Sequence, residues 1–198
     1  PDADLPMSVS YPDGLNRSRW HMQKGIEVFK HHFGFVPSGC WPSEGSVSNE
    51  AIELCEEMGV KWLASGETVL RNSLNENGID AGECIHQAYR FKDNKVAAFF
   101  RDDGLSDLIG FKYSDWHADD AVANLTHILE DIAAKCADKP EAIVSIILDG
   151  ENAWEYYPHN GHYFLHHLYA SLAEHKQIKT TCFSELTELP ICHDLDEL

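Results

Sequence analysis

Positive charge is scarce in this sequence: 15 Lys and Arg stand against 33 Asp and Glu, a formal net charge of −18. A surplus of that size repels a phosphate backbone and an anionic lipid surface alike, so neither nucleic acid nor membrane is expected as a partner. No stretch approaches the ~20 consecutive apolar residues of a membrane span, and no basic-then-apolar leader is present. Disulfide and zinc frameworks are missing too. The six cysteines (Cys40, Cys55, Cys84, Cys136, Cys182 and Cys192) lie far apart with no CxxC pair, and they read as thiols kept reduced in a cytoplasm. The chain has no HExxH, no glycine-rich phosphate loop and no GxSxG. Metallopeptidase, nucleotide-dependent and serine-hydrolase chemistries are therefore disfavoured, and no cofactor or metal is expected. The oligomeric state leaves no sequence signal.

What is present is an alternation of two periods. "VSIIL" and its neighbours, Ile143 to Leu148, form a short β-branched run closed by "DGEN", the pattern of a strand buried on both faces. Val60 to Glu67, Val96 to Gly104 and, more loosely, "FVPSGCWPSEG" repeat the plan. Between them Val47, Ala51, Leu54, Cys55 and Met58 make one apolar helical face, with Gly59 as its stop. Val122, Leu125, Ile128, Leu129, Ile132 and Cys136 make a second, opened near Asp119 or Asp120. Phe164 to Leu172 make a third, and Trp20 to Phe33 a fourth. Strands alternating with helices predict parallel βα units in an α/β fold, as an open sheet or a barrel. Such folds put their chemistry just beyond the C-terminal ends of the strands.

The acids sit where that chemistry belongs. The four strand candidates run into Glu44, into Glu67, into Arg101, Asp102, Asp103 and Asp107, and into Asp149, Glu151 and Glu155. Converging carboxylates repel one another and lose hydration, so folding alone does not favour them. Acids also cap helices in βα loops, which leaves each one, taken alone, an ordinary structural role. Aromatic residues crowd the same tips: Trp41, Trp116, Trp154, Tyr156 and Tyr157. Flat apolar faces with polar edges suit sugar rings, and glycoside cleavage needs little beyond two carboxyls at fixed separation and such a platform. The histidines of "HNGHYFLHH" (His159, His162, His166 and His167) put His162 and His166 on one helical face. They lack the spacing of a zinc site.

Three stretches, "GCWPSEGSVS", "FRDDGLSDLIGFKYSDW" and "LDGENAWEYYPHNG", in this order and with helices between them, resemble glycoside hydrolase family 57. Within the family they resemble the amylopullulanase-like and α-amylase-like members. The likeness runs from about Phe33 to about Leu172. It implies part of a (β/α)7 barrel acting on α-glucans by a retaining mechanism. The glutamate of the family's Trp-x-x-Glu element falls on Glu44, which would be the nucleophile. The aspartate of its Asp-x-Glu element falls on Asp149, which would be the acid/base, kept protonated by the nearby charges of Glu151 and Glu44. Small residues Gly45, Ser46 and Ser48 would leave room for a sugar. Trp41, Glu151, Trp154, Arg101, Asp103, Trp116 and His159 are the expected substrate-binding residues. The family's earliest regions, among them a His-Gln-Pro element, have no counterpart in the sequence. Residues 1–198 are accordingly expected to form a single catalytic-domain fragment carrying the later barrel strands. Two rivals stand beside this reading: a metal-dependent polysaccharide deacetylase with Asp and His ligands at strand ends, and a non-catalytic glucan-binding protein. Hydrolysis and transfer, and α-1,4 and α-1,6 preference, are not separated by the sequence.

Overall fold

The structure, a computed structural model, describes residues 12–76, 78, 85–91, 93–137, 142–150 and 154–187, together with the strand Cys192–Leu195. The chain opens with helix α1 (Gly14–Phe33), stopped by Gly34 in the left-handed region at φ 81°. Strand β1 is short (Gly39–Cys40) and is followed by a single 3-10 turn at Ser43–Gly45. Helix α2 (Asn49–Glu57) begins at Ser48, whose hydroxyl accepts from the Ala51 amide at 3.2 Å. That bond satisfies one of the amides a helix start leaves open. Strand β2 (Trp62–Ser65) leads almost directly into α3 (Glu67–Glu76). Strands β3 (Ala88–Phe91) and β4 (Ala97–Phe100) follow. A short helix α4 (Asp103–Asp107) then runs into a π-helical turn at Leu108–Lys112 and a 3-10 turn at Tyr113–Asp115. Helices α5 (Ala118–Lys135), α6 (His162–Glu174) and α7 (Phe183–Leu186) and strand β5 (Cys192–Leu195) complete the described elements.

The five strands form one sheet in the order β1-β2-β4-β3-β5. Strands β1, β2 and β4 are mutually parallel, with Gly39 opposite Trp62 and Trp62 opposite Ala97. Beyond Phe100 the ladder continues on the other side of β4, where Arg101 meets Ser145 in a parallel bridge and the Asp102 amide donates to the Ser145 carbonyl at 2.9 Å. Every residue of β4 is buried, as expected of a strand covered on both faces. Ala98 and Phe100 pack with Leu63, Ile52, Leu70 and Leu74 beneath α2 and α3. On the other face Phe99 stacks on Phe183 of α7, with ring centroids 4.4 Å apart and planes 14° from parallel, and Trp62 meets Phe183 edge-on. Burial of one such ring contributes roughly 1.5–3 kcal/mol. A second core joins α5, through Ala121, Val122, Leu125, Leu129 and Ile132, to Phe164 and Leu168 of α6.

Several boundaries differ from the sequence pattern. The strands are shorter than their apolar runs: Val60–Glu67 yields Trp62–Ser65, and Glu67 already belongs to α3. Among the described residues the 143–148 run forms the Ser145 bridge and one further backbone bond, from the Ile143 amide to the His86 carbonyl, without a ladder. Strands β3 and β5 carry no strong pattern in the sequence, and β3 lies antiparallel to β4, so the sheet is mixed. Helix α5 starts at Ala118 after His117, one turn earlier than its apolar stripe.

Candidate active site

Glu44 owes its position to two steric facts. At Gly39 a Cβ would fall 1.9 Å from the Trp62 ring, so only glycine lets β1 lie this close to β2. The chain then leaves β1 and turns back at once. Gly45 adopts φ 68°, and its carbonyl accepts from the buried Ser65 hydroxyl at 2.5 Å, which seats the Ser43–Gly45 turn over the end of β2. Glu44, between them, is exposed and held at φ 54°, ψ 22°. This is the left-handed region, which a side chain with a Cβ occupies at a cost of about 1–2 kcal/mol. The Trp41 ring lies against Gly45, where a Cβ would come 3.0 Å from it, and keeps 42% of its surface exposed.

Next along the same edge stands Glu67, at the start of α3. One carboxylate oxygen accepts from the Arg71 guanidinium at 2.5 and 2.7 Å, and the other from the Asp103 amide at 3.3 Å. Asp102 is buried and caps α4, accepting from the Leu105 amide at 2.8 Å, while its second oxygen meets His86 Nε2 at 2.9 Å. Burial pushes the Asp102 carboxyl up. The His86 and Leu105 hydrogen bonds, together with the charges of His86 and Arg101, outweigh it and hold the group below its ordinary range.

Arg101 directly follows β4. Its guanidinium turns onto the protein: Nε donates to the Ile147 carbonyl at 3.0 Å, one Nη to Asp103 at 2.6 Å and the other to Asp107 at 2.7 Å. Asp103 is thereby an ion-pair partner of Arg101. Ile147 also donates its amide to the buried Ser106 hydroxyl at 3.2 Å. Two residues on, Asp149 is exposed. Glu151 lies outside the described residues. Because β1, β2, β4 and the Ser145 segment all run in one direction, Glu44, Glu67, Arg101 to Asp103 and Asp149 emerge on one edge of the sheet.

The remaining aromatic candidates sit farther along. Trp154 is half-buried, edge-on to Tyr157 at 5.4 Å and tilted against Phe164 at 6.2 Å. It also abuts Gly161, where a Cβ would lie 3.0 Å from the ring. Trp116 is 46% exposed and meets Tyr113 edge-on. Burial pushes the Tyr113 phenol up to about 12, and its hydroxyl donates to Asn124. His159 is exposed at φ 53°, in a turn that also puts Asn160 in the left-handed region. Sequence reasoning passes over Ser65, Ser106 and His86. Only the small polar residues interrupting "LAS" and "GLSDL" hint at the first two. Among the described residues no three His, Cys, Asp or Glu side chains are grouped as metal ligands, and no helix is long and apolar enough to cross a membrane.

The fold has solved relatives. The crystal structure of the α-amylase AmyC from Thermotoga maritima superposes with a TM-score of 0.74 at 15% identity, covering 98% of this chain and 48% of that one. The crystal structure of 4-alpha-glucanotransferase from Thermococcus litoralis gives 0.62 at 16% identity, over 88% of this chain and 26% of that one. The chain thus spans about a half and a quarter of these two, and its sheet and helices make up part of a (β/α)7 barrel. No curated protein sequence matches it. Residues 6–192 match glycosyl hydrolase family 57, and the chain belongs to that family.

Proposed function

We propose that this chain carries the two catalytic carboxyls of a retaining glycoside hydrolase or transglycosidase acting on α-glucans, of α-amylase, amylopullulanase or 4-α-glucanotransferase type. The observation that carries the reading is that Glu44 and Asp149 both follow parallel strands to one edge of the sheet, in a chain that matches the family over residues 6–192. Strand β1 and the Ser145 segment are three strand spacings apart, ~14 Å along the edge, whereas retention requires carboxyls ~5–5.5 Å apart. The Ser43–Gly45 turn supports closure of that gap, since it leans from β1 over the end of β2. Retention requires barrel curvature to close the rest.

In this mechanism the Glu44 carboxylate attacks the anomeric carbon as the glycosidic bond breaks. Asp149 gives its proton to the leaving oxygen, and a covalent glycosyl-enzyme forms. Asp149 then takes a proton from water, or from the hydroxyl of an acceptor glucan, as that oxygen attacks the same carbon and releases Glu44. Trp41 and Trp116, with exposed faces, and Trp154 serve as sugar platforms, and Glu151 and His159 as hydrogen-bonding partners of the sugar hydroxyls. The names of the two structural relatives, an α-amylase and a glucanotransferase, agree with this substrate class. The described cysteines Cys40, Cys55, Cys136 and Cys182 are free thiols.

Substitution in the full-length protein tests the reading. Glu44→Gln is expected to abolish turnover on every substrate. Asp149→Asn is expected to lower kcat/KM on soluble α-glucan by about 10²–10⁴-fold and to recover on aryl glycosides with good leaving groups, which need no protonation. A fluorinated glycosyl trap should label Glu44. Wild-type kcat in either variant removes that residue from the mechanism. Deacetylase activity dependent on a bound metal would instead favour the rival barrel enzyme.

A further inference from the structure

The stretch that delivers Asp149 is weakly built. Among the described residues its backbone ties before Ile147 are the bridge at Ser145 and the Ile143 amide, which donates to the His86 carbonyl at 2.9 Å, and Ile147 and Leu148 are only half-buried. What fixes its last turn before Asp149 is Ile147, gripped on both backbone polar groups. Its amide donates to Ser106, at 3.2 Å, and its carbonyl accepts from Arg101 Nε at 3.0 Å. Both grips come from the chain that follows β4, which is also the chain parallel to the acid-bearing segment. The Arg101 guanidinium is itself braced on Asp103 and Asp107, and its side chain is only 20% exposed. Its planar fork faces the protein on three sides, and a lysine cannot make the same three directed contacts.

We propose that Arg101 is a positioning residue, not a substrate ligand: by holding the Ile147 carbonyl, with Ser106 as second clamp, it sets where the Asp149 carboxyl stands against the leaving oxygen. This rests on the reading of Asp149 as the acid/base. An acid two residues beyond a loosened anchor sweeps through a volume in which few positions reach the glycosidic oxygen, and misplacement by about 1 Å can lower a rate ~10²-fold. The nucleophile hangs from a different strand, through Ser65 and Gly45, so Glu44 should keep its geometry when the Arg101 clamp is removed.

The experiment compares Arg101→Lys and Arg101→Gln with wild type in the full-length protein, using two readouts. The first is kcat/KM on α-glucan and on an aryl α-glycoside with a good leaving group. The clamp reading expects a loss of about 10–100-fold on glucan and less than about threefold on the aryl substrate, with a displaced alkaline limb in the pH profile for glucan. The second is the Kd of a maltooligosaccharide measured in a Glu44→Gln background, which the clamp reading expects to stay within about twofold. A Kd weakened in step with the loss of rate would make Arg101 a substrate ligand and overturn the proposal. So would equal losses on both substrates, or no loss on either. If the Arg101 variants do not fold, Ser106→Ala and Asp107→Asn are measured by the same two readouts, and the same patterns of loss support or overturn the clamp. Asp149→Asn run in parallel separates the two readings. Wild-type behaviour there defeats the assignment of Asp149, whereas a normal Arg101 variant beside a crippled Asp149→Asn defeats the clamp alone.

Discussion

At the scale of single residues, the informative feature is backbone strain at an acid. Glu44 is exposed yet sits at φ 54° with no glycine to ease it, and its neighbour Gly45 needs the same region at φ 68°. Two consecutive left-handed residues reverse the chain within one turn and seat the Ser43–Gly45 backbone over the end of β2 instead of letting it run on with the strand. The strain predicts an inverted order of stabilities. At most positions Gly is less stable than Ala by about 0.5–1 kcal/mol because it loses more chain entropy on folding. At position 44 the Cβ of Ala meets the left-handed penalty, so Glu44→Gly should exceed Glu44→Ala by about 1 kcal/mol in urea unfolding. Because the native side chain is exposed, lost contacts do not confuse the comparison. The ordinary order, Ala above Gly, would show that the turn relaxes to a negative φ.

At the scale of elements, short pieces are fixed by polar ties more than by length. Helix α4 has only five residues and is anchored by Asp102 at its start, with the carboxylate shared between the Leu105 amide and His86. Because the folded Asp102 lies below its ordinary value, its contribution is complete above the unfolded carboxyl value of ~3.9 and is lost as pH falls through the lower folded value. Asp102→Asn should therefore be less stable than wild type by about 1.5–3 kcal/mol at pH 7, and the gap should begin to narrow as pH falls below ~4 and close once pH passes the lower folded value. A pH-independent gap would assign the loss to shape, not charge. The same contrast explains what is legible in the sequence. Helices α2, α5 and α6 are legible because burial of Leu54, Leu125 and Phe164 repeats at 3.6 residues. The C-terminal ends of β1, β2 and β4 are legible because apolar runs stop there at acids. Strand β3 is not, since Ala88, Tyr89, Arg90 and Phe91 combine modest β propensity with a charge, and its pairing depends on β4 and β5. Trp41 and Glu44 can be read from one stretch. The inward turn of Arg101 cannot, because its partners Ile147 and Asp107 are set by tertiary approach, 46 and 6 residues away.

At the scale of the whole molecule, the excess of acid has an energetic consequence. Net charge −18 on 198 residues implies repulsion across a body with a radius of gyration of about 16 Å. Against it stand the described Lys and Arg pairs: Arg19 with Glu57 at 2.6 Å, Lys24 with Glu27 at 2.6 Å, Arg71 with Glu67 at 2.5 Å, and Arg101 with Asp103 and Asp107. Salt acts on these two contributions unequally. At ~0.01 M the screening length is ~30 Å and every carboxylate feels every other; at ~0.15 M it is ~8 Å and only near neighbours interact. Contact pairs lie inside both lengths and change little, and exposed ones contribute at most about 1 kcal/mol each. Long-range repulsion is what salt removes, so added NaCl should stabilise the chain, raising Tm by about 2–4 °C per kcal/mol of repulsion relieved. Potassium chloride should act like sodium chloride, because the effect is screening and not ion binding. A Tm that falls with salt over this range would mean that the ion pairs outweigh the surplus. The acids would then be locally compensated, each held by a neighbouring cation and not by distance from the others.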